Sequence, residues 1–288
     1  MGLNYKLSIL DKCPRAEGIS AEQSFKNALQ IAQTAEALGF YRYWVAEHHS
    51  TALLSSPSPE ILIAWLLAQT KSIRIGSGGV VLQHYSPYKV AENFNVLAGL
   101  AHNRVDLGVG KAPGGFPVST QALQLGLDQK QKGNFKTQLQ ALDHYLNAKL
   151  DRNQPDQVAA TPIPQQSAEK FLLGASIENA RLAADLGWNF VFAAHLNTLL
   201  QDALQTYSHY SAGERVIVAA QIIVADNPCF FHMFINSNGK ALHLGFQMQG
   251  LYYVFESNGE TESMCYWILI IINRLFIKKV RLTLPQRA

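Results

Sequence analysis

The sequence has few cysteines and no long apolar run. Its three cysteines, Cys13, Cys229 and Cys265, are odd in number and widely spaced, so they form neither a disulfide framework nor a pair of zinc ligands. This usage predicts a reducing, cytoplasmic location. The strongest apolar run, at 267–272 with an interrupted extension to 277, is much shorter than the ~18 residues of a transmembrane helix. The first eleven residues also lack the apolar stretch of a signal peptide, so we expect no membrane association.

Charged residues are scarce as well. They make up 16% of the chain against 48% hydrophobic residues, which argues against disorder and indicates a large buried core. The net charge of +3 comes from scattered Lys and Arg, and the basic cluster at 278–281 is short. Nucleic acid is therefore not expected as a partner. A length of 288 residues suits a single α/β barrel, which typically has about 250 residues.

Short β-compatible segments alternate with helical ones as far as residue 226. We predict strands at 3–10, 41–46, 72–81, 104–110, 171–173, 190–193 and 216–224. Segments between them have helical apolar spacing and helix-start signals, such as Ser20 followed by Gln23. Alternating strands and helices predict a parallel sheet, and crossovers of one hand favour its closure into a barrel. An open, doubly wound sheet is the alternative.

Two segments depart from this alternation. Residues 116–168 are rich in Gln, Asn and Lys, which predicts an insertion within a barrel domain spanning residues 1–226. The insertion would cover the barrel mouth or form an exposed spacer. Residues 227–288 show no sustained period and are expected to form an atypical tail of uncertain fold. Without a recognisable eighth strand, we expect unpaired edges on the first and seventh strands, and the run at 267–272 would add to the aggregation hazard.

Titratable residues and glycines stand at the ends of the predicted strands. In an α/β barrel the loops at the C-terminal ends of the strands converge on one mouth, where the active site lies. These strand ends therefore predict one shared site. The residues so selected are Glu47, His48, His49, Gly78, Gly79, Lys111, Gly174, Ala175, Ser176 and His195.

Several of these residues have a second, structural interpretation. An imidazole, with a pKa of about 6.5, is suited to proton transfer, but adjacent histidines such as His48 and His49 often form only a hydrogen-bonded pair. No metal site is expected, since successive strand residues point to opposite sides. Gly78 and Gly79 would admit a flat ring against bare backbone, or would simply allow tight packing. Ser176 would help to bind a phosphate at a helix start, or would only cap that helix.

Several segments in order resemble one known family. The sequence Tyr-Arg-Tyr-Trp-Val-Ala-Glu-His-His at 41–49, together with 73–80, 103–114 and 172–176, resembles the bacterial luciferase-like, flavin-dependent monooxygenases over about residues 3–226. The resemblance implies a (β/α)8 TIM barrel of the luciferase-like type, incomplete or altered at the eighth β/α unit. It also implies an oxidoreductase that uses reduced FMN (FMNH2) and O2 to oxygenate a small organic substrate. A separate flavin reductase and a homodimer are the further partners that it suggests.

The resemblance also implies roles for individual residues. His48 would lie near the reactive edge of the flavin, with Glu47 and His49 as supports, and these three form the expected catalytic group. A non-proline cis peptide is implied at Gly78–Gly79. Lys111 would lie near the cofactor in place of the family's usual Arg, and the loss of a planar guanidinium fork makes cofactor retention weaker. The remaining expected cofactor residues are Gly174, Ala175 and Ser176 at the phosphate, with Glu92 and His195 in the pocket.

Two other functions are compatible with the same residues. The unusual tail suggests a truncated, catalytically inactive homologue that at most binds flavin or a partner chain. A barrel that uses a deazaflavin for hydride transfer is the third possibility.

Overall fold

The computed structural model describes residues 6–149, 158–197, 199–213, 215–222 and 267–272. Strands within these ranges are β1 Lys6–Asp11, β2 Arg42–Val45, β3 Arg74–Ser77, β4 Val80–Val81, β5 Val105–Gly110, β6 Glu169–Gly174, β7 Asn189–Ala193, β8 Val216–Ile222 and β9 Trp267–Ile272. The α-helices are α1 Ala21–Ala37, α2 Pro59–Gln69, α3 Pro87–Leu100, α4 Pro117–Leu123, α5 Gln129–Lys132, α6 Phe135–Asn147, α7 Ile177–Asp185 and α8 Leu200–Tyr210. None of the helices in these ranges is both long and apolar enough to cross a bilayer.

The strands form one closed parallel sheet. Its order is β3-β2-β1-β9-β8-β7-β6-β5-β4, and β3 pairs in addition with β5. The strands β3 and β4 pair with successive parts of β5 and together occupy one strand position. The nine strands therefore fill eight positions, as a (β/α)8 barrel requires. The predicted barrel is confirmed, and the open-sheet alternative is wrong.

The eighth strand position of the barrel is filled by β9. It pairs in parallel with β1 on one side and with β8 on the other. The expectation that the first and seventh strands have unpaired edges is therefore wrong. A continuous apolar run without alternation is typical of a parallel strand covered on both faces. The prediction of an aggregation hazard at 267–272 overlooked this pattern. Within the described residues the eighth β/α unit is represented by this strand alone, and the rest of the predicted tail lies outside them.

Alternate residues of each strand point into the barrel and toward the helices. The inner core consists of Leu10, Trp44, Ala46, Phe171, Val191, Ile217 and Ala219. The larger outer core lies between sheet and helices and includes Ile9, Tyr43, Val45, Leu107, Leu172, Phe190 and Phe192. The inner residues fill the middle of the barrel, so they form the floor of any site at either end.

Ion pairs close the N-terminal end of the barrel interior. Arg42, which is fully buried, donates through Nε to Asp106 at 2.7 Å and also pairs with Glu169. Asp106 further accepts hydrogen bonds from Trp44 Nε1 at 2.9 Å and from Arg74 Nε at 2.8 Å. Because this end is filled by charged side chains that bind each other, a ligand site remains possible only at the opposite end, which we call the mouth.

The segment predicted as an insertion contains α4, α5 and α6. Of these, α6 behaves as an ordinary barrel helix: its Leu139 and Leu142 are buried in the outer core, and its Asp143 accepts hydrogen bonds from Trp188 Nε1 and Lys170 Nζ, each at 2.7 Å. The additional structure is thus α4 and α5, which follow β5 at the mouth. The proposed boundary at residue 226 stays a prediction, because most of residues 223–288 lie outside the described ranges.

Candidate active site

The ends of the strands bring most of the predicted residues to the mouth. In the register of the sheet, Asp11 is paired with Val45, and Val45 with Ser77. On the far side, Gly110 is paired with Leu173. Residues that follow these pairs in sequence line the mouth. In order they are Lys12, His48, Gly78 and Gly79, Lys111, Gly174 to Ser176, and His195.

His48 is the inward-facing residue at the end of β2. Trp44 and Ala46 belong to the inner core, and alternation places His48 on the same side. Its Nδ1 is buried and has no hydrogen-bond partner among the described residues. Burial lowers the pKa of His48, Lys12 lowers it further, and Glu47 opposes them. A neutral imidazole with a buried, unpartnered ring nitrogen therefore lies at the mouth at pH 7.

Glu47 and His49 point away from the mouth, on the outer side of the wall. Oε1 of Glu47 lies 2.7 Å from His49 Nε2 and accepts a hydrogen bond from the Tyr85 hydroxyl at 2.8 Å. Its Oε2 accepts one from the main-chain N–H of Val81 at 2.8 Å. The structure thus separates these two residues from His48, because neighbouring strand residues face opposite sides. These contacts connect Glu47 to the wall of the barrel, and the catalytic role expected for Glu47 and His49 stays a prediction.

The same outer network contains residues that the sequence did not single out. Tyr85 is one, and burial together with Glu47 raises its pKa. His84 is another: it is buried, its Nε2 lies 2.8 Å from the Pro113 carbonyl, and its Nδ1 lies 3.2 Å from Gln124 Nε2. Through His84 the network reaches the segment that carries α4. No local pattern marks these residues, since their partners are about 30 to 40 positions away.

Lys12 is the third residue that sequence inspection missed. It follows β1, and Leu10, two residues earlier, belongs to the inner core, so Lys12 faces the mouth. Partial burial lowers its pKa. Ser56 fixes the main chain here, because its hydroxyl donates to the Ala46 carbonyl at 2.6 Å and lies 3.3 Å from that of Lys12. The period of two in β1 is the signal that would have identified it.

The peptide bond between Gly78 and Gly79 is cis, as the resemblance implied. Packing alone explains both glycines: a Cβ at Gly78 would lie 2.3 Å from Leu10 Cδ1, and one at Gly79 would lie 2.8 Å from the Gly108 carbonyl oxygen. At Gly110 on β5, by contrast, no atom lies within 4 Å of the Cβ position. Bare backbone therefore faces open space at Gly110, whereas the first two glycines build the wall.

The expected phosphate residues are adjacent at the ends of β5 and β6. Since Gly110 pairs with Leu173, Lys111 stands beside Gly174. Ser176 caps α7 by accepting a hydrogen bond from the N–H of Asn179 at 3.2 Å. Gly174 makes room for that asparagine, because a Cβ would lie 2.1 Å from its Nδ2. The capping interpretation of Ser176 is thus confirmed, and a phosphate contact is an additional role that stays a prediction.

The last two predicted pocket residues differ in position. Glu92 lies on α3, where its carboxylate is 3.1 Å from Lys89 Nζ on the same helix, and its place in the pocket stays a prediction. His195 does reach the mouth, with Nδ1 3.4 Å from the Ala219 carbonyl oxygen. Partial desolvation lowers the pKa of His195, the Ala219 carbonyl raises it, and Lys12 lowers it. The described residues contain no cluster of three or more potential metal ligands.

Comparisons with known proteins agree with this geometry. A family model described as luciferase-like monooxygenase matches residues 6–229. The chain is 46% identical over 197 residues to the N-acetyl-S-alkylcysteine monooxygenase of Bacillus subtilis (strain 168), a match covering 67% of this chain and 58% of that protein. The chain therefore spans less than two thirds of the length of this relative.

Solved structures have the same barrel. The crystal structure of apo-MsnO8 superposes with a TM-score of 0.67 at 33% identity, covering 75% of this chain and 66% of that one. The oxygenating constituent of 3,6-diketocamphane monooxygenase from the CAM plasmid of Pseudomonas putida, solved in complex with FMN, has a TM-score of 0.62 at 19% identity and covers 78% of this chain and 70% of that one. At that identity, the second likeness concerns the fold.

Proposed function

Because the chain belongs to the luciferase-like monooxygenase family, we propose that it is an FMN-dependent monooxygenase that oxygenates a small organic substrate with O2 and reduced flavin. The observation that carries this proposal is the unpartnered, buried Nδ1 of His48 in a mouth with open backbone at Gly110. A flavin ring has polar atoms along its edge and flat faces, so a free imidazole nitrogen and a bare wall fit it. When bound, the reduced flavin supplies the electrons that activate O2.

The chain's own residues would hold and orient the cofactor. We propose that Lys111 and the start of α7 bind the phosphate, because a lysine charge and free N–H groups of a helix start attract an anion. Gly78, Gly79 and Gly110 form the wall beside the ring. The remaining cofactor contacts would come from Gly174, Ala175, Ser176 and His195.

His48 is the proposed catalytic residue. In its neutral form it can accept or donate a proton at Nδ1 beside the ring edge. The inner core beneath it, with Leu10, Trp44 and Phe171 buried, keeps water from the floor of the site. Glu47 and His49 hold the wall from the outside and do not touch the substrate in this proposal.

Thioethers are the first substrates to examine, because a relative with 46% identity is named N-acetyl-S-alkylcysteine monooxygenase. N-acetyl-S-methylcysteine and its primary amide form a suitable pair, since they differ in charge but share the oxidisable part. We refer to them below as the acid and the amide.

The proposal is tested with the full chain, FMN and an NADH-dependent flavin reductase under ¹⁸O2. We expect substrate-dependent O2 uptake and one ¹⁸O atom in the product by mass spectrometry, and loss of both in His48→Asn. A matched control is His102→Asn, which changes an exposed histidine away from the mouth. A folded protein that binds neither FMN nor a deazaflavin in a fluorescence titration would refute the proposal. FMN binding without incorporation of ¹⁸O would favour the inactive homologue, and binding of the deazaflavin alone would favour hydride transfer.

A further inference from the structure

Lys12 places a cationic side chain in the mouth. Ile9 and Cys13 belong to the outer core, whereas Leu10 belongs to the inner one, so the side chain of Lys12 follows Leu10 toward the interior. Lys12 also lies close enough to His48 and His195 for its charge to lower the pKa of both. These histidines follow β2 and β7, so Lys12 lies in the part of the mouth between them.

The carboxylates nearest in the chain are engaged elsewhere. Asp11 accepts hydrogen bonds from the N–H of Cys13 at 2.7 Å and from the Tyr43 hydroxyl at 2.5 Å. Glu47 faces the outer side of the wall, bound to its three donors. None of the ion pairs among the described residues includes Lys12.

A partly buried ammonium group without a counter-ion is costly, and an anionic ligand would offset that cost. The two histidines beside it add hydrogen-bonding nitrogens but no negative charge. The described residues of this part of the mouth are therefore complementary to a small anion.

We infer that Lys12 binds the negatively charged group of the substrate, so that the mouth selects small organic anions such as carboxylates. The inference rests on the proposed function and adds the substrate class and the residue that recognises it. Neighbouring parallel strands lie about 4.8 Å apart, so a substrate anchored at the end of β1 has its oxidisable part beside His48 at the end of β2. Lys12 thereby also orients the substrate.

Binding of the acid and the amide to the FMN-loaded full chain tests the inference by isothermal titration calorimetry. We expect the acid to bind roughly ten- to a hundredfold more tightly than the amide, as is usual for a charge-assisted hydrogen bond. Lys12→Gln should remove this preference by weakening the acid alone. Lys12→Arg should retain most of it. Lys26→Gln, which changes an exposed lysine on α1, should leave it intact.

Several outcomes would overturn the inference. A preference for the acid that persists in Lys12→Gln would show that another group recognises the charge. Failure of both probes to bind the native chain would refute the substrate class, while intact FMN binding would leave the proposed function standing. The anion at Lys12 is instead the cofactor phosphate if Lys12→Gln weakens FMN binding but not riboflavin binding. Circular dichroism and the unfolding temperature, compared with those of Lys12→Arg, ensure that folded proteins are compared.

Discussion

The hydroxyl of Tyr85 donates a hydrogen bond to Oε1 of Glu47 at 2.8 Å, on the outer side of the barrel wall. Glu47 lies two residues beyond β2, and Tyr85 lies in the connection between β4 and α3. The same carboxylate binds the N–H of Val81, two residues beyond Gly79. Glu47 therefore ties the strand that carries His48 to the wall that contains the two glycines. The position of the proposed catalytic residue depends on a carboxylate that faces the other way.

Tyr85→Phe is expected to lower the free energy of unfolding by about 1.5–3 kcal/mol, because a buried carboxylate loses one of its donors. Urea denaturation measures the change. Tyr207→Phe is a suitable comparison, since its buried hydroxyl donates to an uncharged acceptor, the Trp188 carbonyl, at 2.8 Å, and we expect a smaller effect. Equal losses in the two variants would show that the Glu47 network has no special role.

The sequence predicts that His48 lies at the mouth, and the same reasoning applied to β1 predicts this for Lys12. Both positions follow from two local rules. Side chains alternate between the two faces of a strand, and the C-terminal ends of the strands form the mouth of a parallel barrel. Glu47 was selected for the right region but grouped with His48, although the same period places them on opposite sides. The local pattern therefore contained more information than the motif alone.

The features that the sequence did not predict depend on contacts between residues far apart in the chain. Val81 and Tyr85, which bind Glu47, are 34 and 38 residues away from it. The sequence around Tyr85 contains no pattern that predicts this contact. Similarly, β9 pairs with β1, which lies near the other end of the chain. Only the three-dimensional structure shows that β9 completes the sheet between β1 and β8. The sequence allows two interpretations of Gly78 and Gly79, and only the positions of Leu10 and Gly108 show that packing requires both glycines.

Asp106→Asn is expected to destabilise the barrel by about 3–5 kcal/mol. The substitution keeps the size of the side chain but leaves the fully buried Arg42 without its principal counter-charge, and an unpaired buried charge is costly. Urea denaturation followed by tryptophan fluorescence measures the loss. Asp185→Asn breaks an exposed pair with Arg181 on α7 and should change stability little. A small effect of Asp106→Asn would mean that Glu169 alone neutralises the arginine.

Glu36 should make stability depend on pH in the acid range. Partial burial raises its pKa, but the N–H groups of Ser72, Ile73 and Lys71 and the Ser72 hydroxyl outweigh this and lower it to about 2. A carboxylate with a lowered folded-state pKa stabilises above its unfolded value, 4.5, and this stability is lost as the pH falls toward 2. Glu36→Gln should therefore be less stable than the native chain at pH 7 and approach it as the pH decreases. A difference that is constant between pH 7 and pH 3 would exclude this role.

Ser176 and Ser20 provide a matched pair of helix caps. Each accepts a hydrogen bond from the N–H three residues later, at 3.2 Å, but only Ser176 stands at the mouth. Replacement of either by Ala should cost about 1 kcal/mol of stability. Only Ser176→Ala should also weaken FMN binding, measured by flavin fluorescence, because the phosphate loses a hydroxyl donor. Unchanged FMN affinity in Ser176→Ala would leave the residue as a helix cap alone.

The pH dependence of turnover tests the protonation state proposed for His48. Burial lowers its pKa below the ordinary value of 6.5, and Lys12 lowers it further against the effect of Glu47. The ring is thus neutral at pH 7, and kcat/KM should fall only on the acid side, at a pH below 6.5. Lys12→Gln removes a positive charge, so it should move this acid limb to higher pH. His48→Asn should lower kcat/KM by about 10²–10⁴-fold, the usual contribution of a general acid or base, and abolish the limb. An acid limb that persists unchanged in His48→Asn would assign the titration to another group and remove His48 from the chemistry.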